Sequence, residues 1–455
     1  MYQEFARFKE KIIKECKSCS VCLKDCYAYQ KTEFKIMKYL PKFFENQEYA
    51  KEIKKFTDSC LYCKIHEHSC INSIDLSLLL PAIKSDLGKI YPKYTWKPQN
   101  TYRFMIKFIR SEHFYRFWRN FNYKLIPHEF REEFEEYRKP KKREVVFFSG
   151  CGIQMLENQY YILCKILKKL KVDFGLIDGS YTKAVCCGAV HCEVGNFNNG
   201  IYMLKNLIKE IKKFGTKKVI IYCATCYYGL KTLAPELIED YDLEVIHATK
   251  FLGEVLTQGM LKSPDEQKKV YTIHDSCHLA HGSKGDSNSI RSLISKLPNS
   301  EIVEMKHNRE NSLCDLYYVL IAMRNPFTFL IKEDKVRIID EAIETKADIL
   351  CSLCPGCHAI LFLFGSNIWS LLGKKSPRII VKNWVSIIGE HLGIVEKDML
   401  TYRFKHIISV PIRDSGLGYI FQAFKAIVRG YFGKKEPKPI QKKLNKINKK
   451  KKRLN

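Results

Sequence analysis

Two short runs rich in β-branched and aromatic residues, Val145–Phe148 (VVFF) and Lys218–Tyr222 (KVIIY), flank a segment in which apolar residues recur at helical spacing from Gln159 to Leu170. Continuous apolar runs of that length read as strands buried on both faces, and the period between them reads as a helix. The order repeats further along, where Val270–Ile273 and Ala347–Leu350 predict two more buried strands. Alternating strands and helices predict α/β units with parallel strands, in which ligand sites lie beyond the carboxyl ends of the strands. The stretch AILFLFGSNIWSLLG, Ala359 to Gly373, falls short of the roughly 20 uninterrupted apolar residues that span a membrane and is read as a buried helix. Near the C-terminus Leu417, Ile420, Phe421, Phe424, Ile427, Val428 and Tyr431 recur at helical spacing with Lys425 and Arg429 opposite. A basic amphipathic helix of this kind suits an anionic membrane surface, the protein's own core or a partner.

Composition narrows the picture. At 455 residues and 46% hydrophobic the chain is globular and can build more than one core. Lys plus Arg is 77 against 49 for Asp plus Glu, a net +28, so anionic partners come into view. Part of the excess lies in the tail GKKEPKPIQKKLNKINKKKKRLN, Gly433 to Asn455, whose single acid is Glu436. No aromatic residue interleaves its lysines to stack on bases, so the tail reads as a solvated end and no specific nucleic acid is expected. The 19 cysteines suit either disulfides or metal ligands. The start MYQEFARFKEKIIKEC carries charges throughout, without an apolar signal region or small-residue cleavage site. The expectation is therefore a cytoplasmic chain, peripheral on the inner face of the membrane if its basic end binds lipid, with cysteines that bind metal.

The spacing of those cysteines carries the chemistry. Cys16, Cys19, Cys22 and Cys26 form C-x2-C-x2-C-x3-C, and Cys60, Cys63, His66 and Cys70 repeat it with one histidine. In two-cluster ferredoxin-type modules three cysteines of a run bind one cluster and the fourth crosses to the other. That scheme gives one 4Fe-4S cluster on Cys16, Cys19, Cys22 and Cys70. The second falls to Cys60, Cys63 and Cys26, atypical because its fourth corner is His66 or vacant. A solvent-facing His66 is the alternative. Compressed runs suit clusters better than tetrahedral zinc, which favours two C-x2-C pairs separated by a longer loop.

Downstream, Cys151, Cys186, Cys187, Cys223 and Cys226 stand in the order C-x34-CC-x35-C-x2-C, and Cys277, Cys314, Asp315, Cys354 and Cys357 form a looser copy. The cysteines fall at predicted strand ends. His274, His278 and His281 flank Cys277 and are read as hydrogen-bond donors to the ligands, with a local metal site as the rival. Cys351 is an extra thiol, and Cys164 and Cys192 read as small core residues.

The segments FFSGCG, AVCCGAVHCEVG, IIYCATC, IHDSCH, SLCD and LCPGC resemble the paired CCG motifs of the heterodisulfide reductase B and D type. With the two preceding runs, roughly residues 10–375 resemble the fused iron-sulfur subunits of glycolate oxidase, lactate utilisation and anaerobic glycerol-3-phosphate dehydrogenase. The second copy departs at Asp315. The resemblance implies a 4Fe-4S-type cluster on Cys151, Cys186, Cys187, Cys223 and Cys226, which is also the centre at which a disulfide would be reduced. For the second copy a modified cluster, zinc or no metal remain open.

The expected class is α+β: a helical two-cluster ferredoxin-like module over 1–89, a connector over 90–143, repeated α/β CCG units with short parallel sheets over 144–262 and 263–402, and an amphipathic helix with basic tail over 403–455. Several clusters in series imply electron transfer. No G-x-G-x-x-G fingerprint occurs, so the flavin should belong to a partner. The resemblance makes that partner a flavoprotein dehydrogenase or oxidase subunit, with a disulfide, a quinone, a membrane redox protein or another carrier beyond. Catalytic disulfide reduction at the first CCG cluster and a zinc-rich nucleic-acid-binding protein are the alternatives.

Overall fold

The computed structural model describes residues 3–67, 69–91, 132–150, 157–178, 186–193, 195, 197–264, 267–282, 285–315, 334–365 and 379–395. Cys151, the segment from Leu417 and the lysine tail lie outside the described residues, as does most of the connector.

The N-terminal part is helical: α1 (Gln3–Glu15), α2 (Tyr27–Thr32), α3 (Ile36–Asn46), α4 (Ala50–Asp58) and α5 (Leu79–Ile90). Phe5, Phe8 and Ile12 of α1 lie three to four positions apart and face Leu40, Phe43, Ile53 and Leu87 in one core. Both cysteine runs sit in the loops of this module.

Two four-stranded sheets follow, and every strand pair is parallel. The first contains β1 (Val145–Phe148), β2 (Phe174–Ile177), β3 (Lys218–Ile221) and β4 (Glu244–His247) in the order β2-β1-β3-β4. The second contains β5 (Lys269–His274), β6 (Ser300–Ile302), β7 (Ile349–Ser352) and β8 (Ile380–Asn383) in the order β6-β5-β7-β8. The identical order makes the second sheet a structural copy of the first, in agreement with the fold class read from the sequence. β7 begins two residues later than its apolar run suggests because Tyr271 of β5 pairs with Ile349, and Cys351 therefore lies within the strand, fully buried.

Both faces of the first sheet are covered. Val146, Phe148, Val219 and Ile221 belong to the core shared with the N-terminal helices, whereas Val145, Phe147 and Ile220 belong to the core shared with β5 and β7. Cys192 lies in the first of these cores and Cys164 in the second. The buried Arg138 guanidinium holds Asp178, just past β2, at 2.7 Å and the Tyr161 hydroxyl at 3.2 Å. No helix among the described residues is long and apolar enough to cross a membrane.

Candidate functional site

The two N-terminal cysteine runs share one backbone conformation. Ser18 (φ 56°) and Ser20 (φ 62°) follow Cys16 at the same spacings at which Tyr62 (φ 59°) and Lys64 (φ 66°) follow Cys60. Non-glycine residues seldom enter this left-handed region. Its recurrence means that the second run keeps the loop of the first although His66 stands where the first has Cys22. The loops gather distant sulfurs. Burial, then Cys70, Cys16 and Cys19 beside it, push the Cys22 thiol up to about 12. Burial, then Cys26, push the Cys60 thiol up to about 11. Cys63 lies near Cys60 and Cys26 as well. The fourth cysteine of each run thus stands with the leading cysteines of the other. The His66 imidazole donates to the Leu76 carbonyl, and burial, then Lys64 and His281, lower it to about 3.

In the first α/β unit, glycines allow close approach around the cysteines, of a thiol at Gly150 and of the backbone at Gly188. Gly150, two residues past β1, has φ +76°, and a Cβ there would stand 3.1 Å from Cys226 Sγ. Gly188, the glycine of the Cys186-Cys187-Gly188 motif, has φ +71°. A Cβ at that position would meet the Gly200 carbonyl oxygen at 2.3 Å. Cys223 follows β3 and caps the helix Ala224–Tyr228, whose next turn carries Cys226. Hydrogen bonds to Cys187 and Cys223, then burial, push the Cys226 thiol well up. Cys186 is buried and accepts from the Gly188 amide at 3.4 Å.

The second unit places Cys277 after β5 and Cys354 after β7. Cys354 caps the helix Pro355–Phe364, as Cys223 caps its counterpart. Hydrogen bonds with Cys223 and then Cys357 hold the Cys354 thiol well below its ordinary range. Cys277 is hydrogen-bonded to Cys314, and that pair lies close to Cys63 of the N-terminal module. The thiols therefore form one group in the N-terminal module, Cys16, Cys19, Cys22 and Cys70, and one series that crosses the chain: Cys26, Cys60 and Cys63; then Cys314 and Cys277; then Cys357 and Cys354; then Cys223, Cys226 and Cys187. Unit-by-unit reading of the sequence misses the two junctions, Cys63 with Cys314 and Cys354 with Cys223.

Histidines surround the series. His278 Nδ1 lies 3.4 Å from Cys277 Sγ and its Nε2 lies 3.3 Å from Glu193. His281 lies 2.5 Å from the Cys63 carbonyl and 3.1 Å from the Ser312 hydroxyl. His274 ends β5, with Nε2 3.9 Å from Asp315 Oδ2. Glu193 pairs with Lys64 in a fully buried contact. Burial alone would raise the Glu193 carboxyl, but Lys64 and His278 outweigh it and hold the group at about 2. Lys64 also sits 4.4 Å over the Tyr228 ring, whose hydroxyl donates to Glu67 at 3.0 Å. This network ties the N-terminal module to both α/β units. Nothing in the sequence signals it, because Lys64 and Glu193 stand between the spaced cysteines at positions the spacing does not specify.

The donor set suits soft metal centres. Buried thiols crowded against one another resist ionisation together unless a cationic centre compensates their charge. No disulfide joins any two of the described cysteines.

Comparison with known proteins agrees. The cysteine-rich CCG domain matches residues 145–231 and 271–362, one match on each sheet. The D subunit of the dihydromethanophenazine:CoB--CoM heterodisulfide reductase of Methanosarcina mazei is 26% identical over 425 residues, covering 84% of this chain and 94% of that protein. The EtfAB:quinone oxidoreductase of Syntrophomonas wolfei is 26% identical over 177 residues, 38% of this chain and 24% of that protein. A probable glycolate oxidase iron-sulfur subunit of Bacillus subtilis is 24% identical over 226 residues, 48% of this chain and 49% of that protein. With two copies of the domain, each built on its own parallel sheet, the chain is a CCG-domain protein related to the D subunit of heterodisulfide reductase and to the glycolate oxidase iron-sulfur subunit.

Proposed function

We propose that this chain is the iron-sulfur electron-transfer subunit of an oxidoreductase, passing electrons between a flavoprotein dehydrogenase and a disulfide, quinone or other carrier. The observation that supports this reading is the series of thiols from Cys26 to Cys187, in which each group lies against the next, with the Cys16, Cys19, Cys22 and Cys70 group in the same N-terminal module as its first members. Cys16, Cys19, Cys22 and Cys70 hold one 4Fe-4S cluster, and Cys26, Cys60 and Cys63 hold a second with His66 at its fourth corner. Cys187, Cys223 and Cys226, with Cys151 and Cys186, hold the centre of the first CCG unit. Such clusters supply one-electron chemistry at potentials set by ligands, hydrogen bonds and burial. The protein's own contribution is to exclude water: Cys22, Cys26, Cys187, Cys226, Cys277, Cys354 and Cys357 are all buried.

A second reading, disulfide reduction at the first CCG unit, is favoured by the extent of the match to a heterodisulfide reductase subunit. The zinc-rich nucleic-acid reading has no such support, since the related proteins are oxidoreductases by name. The test is anaerobic purification with iron, sulfide and zinc analysis and EPR. A brown protein absorbing broadly about 400 nm, with signals that appear on mixing with a reduced flavoprotein, is expected. A colourless protein without iron overturns the proposal, and release of thiols from an added disulfide selects the second reading.

A further inference from the structure

One group of side chains in the second unit adjoins the thiol series through Cys357. His274 ends β5, Asp315 follows Cys314 where a CCG motif has its second cysteine, and Cys357 lies in the first turn of the helix Pro355–Phe364. One donor atom from each lies within 4.8 Å of the other two, and all three residues are buried. His274 Nε2 is buried without a hydrogen-bond partner among the described residues. Its 3.9 Å separation from Asp315 Oδ2 is too long for a hydrogen bond. Two ligand bonds of ~2.1 Å at a tetrahedral angle set their donors about 3.4 Å apart, so a small turn of either side chain brings both onto one ion. The neighbouring acid is engaged elsewhere: Arg291 holds both Asp275 carboxylate oxygens at 2.8 Å, and the Arg309 amide donates to the same group at 2.7 Å.

We propose that His274, Asp315 and Cys357 hold a single zinc ion, a mononuclear centre distinct from the iron-sulfur clusters. A nitrogen, an oxygen and a sulfur match zinc's borderline-soft preference, whereas iron-sulfur clusters are held mainly by thiolates. The ion compensates a carboxylate and an imidazole that would otherwise lie buried side by side with no bond between them. Cys277, beside both Asp315 and Cys357, is placed to complete the coordination. The assignment deepens the reading above, from which it takes only that the clusters lie on the other thiols.

The test uses the full chain, purified anaerobically, with zinc, iron and sulfide measured together and zinc K-edge absorption recorded. About one zinc per chain is expected, with one or two sulfurs at ~2.3 Å and nitrogen or oxygen at ~2.0–2.1 Å. His274→Ala and Asp315→Asn should each lower zinc at least tenfold and leave iron and sulfide unchanged. Absence of zinc, a four-sulfur shell, or iron and sulfide lost together with zinc overturns the proposal. Should the variants fail to fold, the absorption edge of the unmodified chain decides alone. Zinc without iron would sink the electron-transfer reading and leave this one standing, and iron without zinc would do the reverse.

Discussion

The Cys223 and Cys354 thiols are hydrogen-bonded to one another across the two α/β units. Each follows its sheet's inner strand, β3 or β7, and each caps the helix that comes next. The two copies of the repeat thus bring equivalent residues to a common seam. Cys354→Ser should accordingly weaken the centre of the first CCG unit, although Cys354 belongs to the second copy. EPR and iron analysis are expected to show loss of that signal with the N-terminal signals retained. An unchanged first-unit signal would confine each centre to its own copy.

His66 occupies the place of Cys22 in a loop of the same backbone conformation. A thiol there needs no rearrangement of the chain, and thiolate in place of imidazole lowers cluster potential. His66→Cys should therefore shift one N-terminal cluster downward by on the order of 100 mV in a redox titration. Superimposable titrations and spectra would remove His66 from the cluster.

What the sequence discloses follows from how local each feature is. β1, β3, β5 and β7 are legible because inner strands are covered on both faces and read as unbroken apolar runs. Edge strands such as Ser300–Ile302 and Glu244–His247 carry polar residues and give no such signal. The leading cysteines of each N-terminal run are local in the same sense, set by short loops, and the crossing of Cys26 and Cys70 is legible because the run is repeated. The contacts of Cys354 with Cys223 and of Cys63 with Cys314 depend on how one unit packs on another, and no spacing encodes that. Asp315 is visible as a departure from the pattern, but its proximity to His274 depends on where β5 ends.

Gly188 offers a test of the motif itself. Alanine there would be held at φ +71° and would press on the Gly200 carbonyl. Strain of about 1–2 kcal/mol arises from the backbone alone, and the clash adds to it. Gly188→Ala should lower the denaturation midpoint and the cluster content together. Gly253, helical and with nothing within 4 Å of where a Cβ would stand, is the control. Gly253→Ala should stabilise by roughly 0.5–1 kcal/mol.

Glu193 and Lys64 make a buried ion pair joining separate parts of the chain. Removing Glu193 leaves the buried Lys64 charge with chiefly Glu67 to compensate it, at a cost of up to about 3–5 kcal/mol. Glu193→Gln should destabilise by that amount in denaturant titration, and adding Lys64→Met should restore part of it. Equal losses in the single and double variants would show that the pair is not what holds these parts together.

His247 supplies the pH dependence. The residue closes β4 and caps the helix Ala248–Val255: its Nδ1 accepts from the Thr249 amide at 3.4 Å, and its Nε2 donates to the Tyr222 carbonyl at 3.0 Å. The bond from the Thr249 amide requires the neutral ring, whereas the bond to the Tyr222 carbonyl survives protonation and favours it. Burial lowers its pKa from 6.5 to about 4 against the smaller opposing effect of the Tyr222 carbonyl. Because the folded value is depressed, the unfolded chain binds the proton more readily between pH 6.5 and 4. The stabilisation is complete above the upper limit and declines as the pH falls through the window, by roughly 3 kcal/mol in all. Carboxylates also titrate toward the acid end, so the informative quantity is the difference between the parent and His247→Gln, whose amide can both accept and donate without titrating. The parent's advantage over the variant should shrink steadily from pH 7 to pH 4 in chemical denaturation. A difference that stays constant across this range would mean that His247 is not held neutral by the fold.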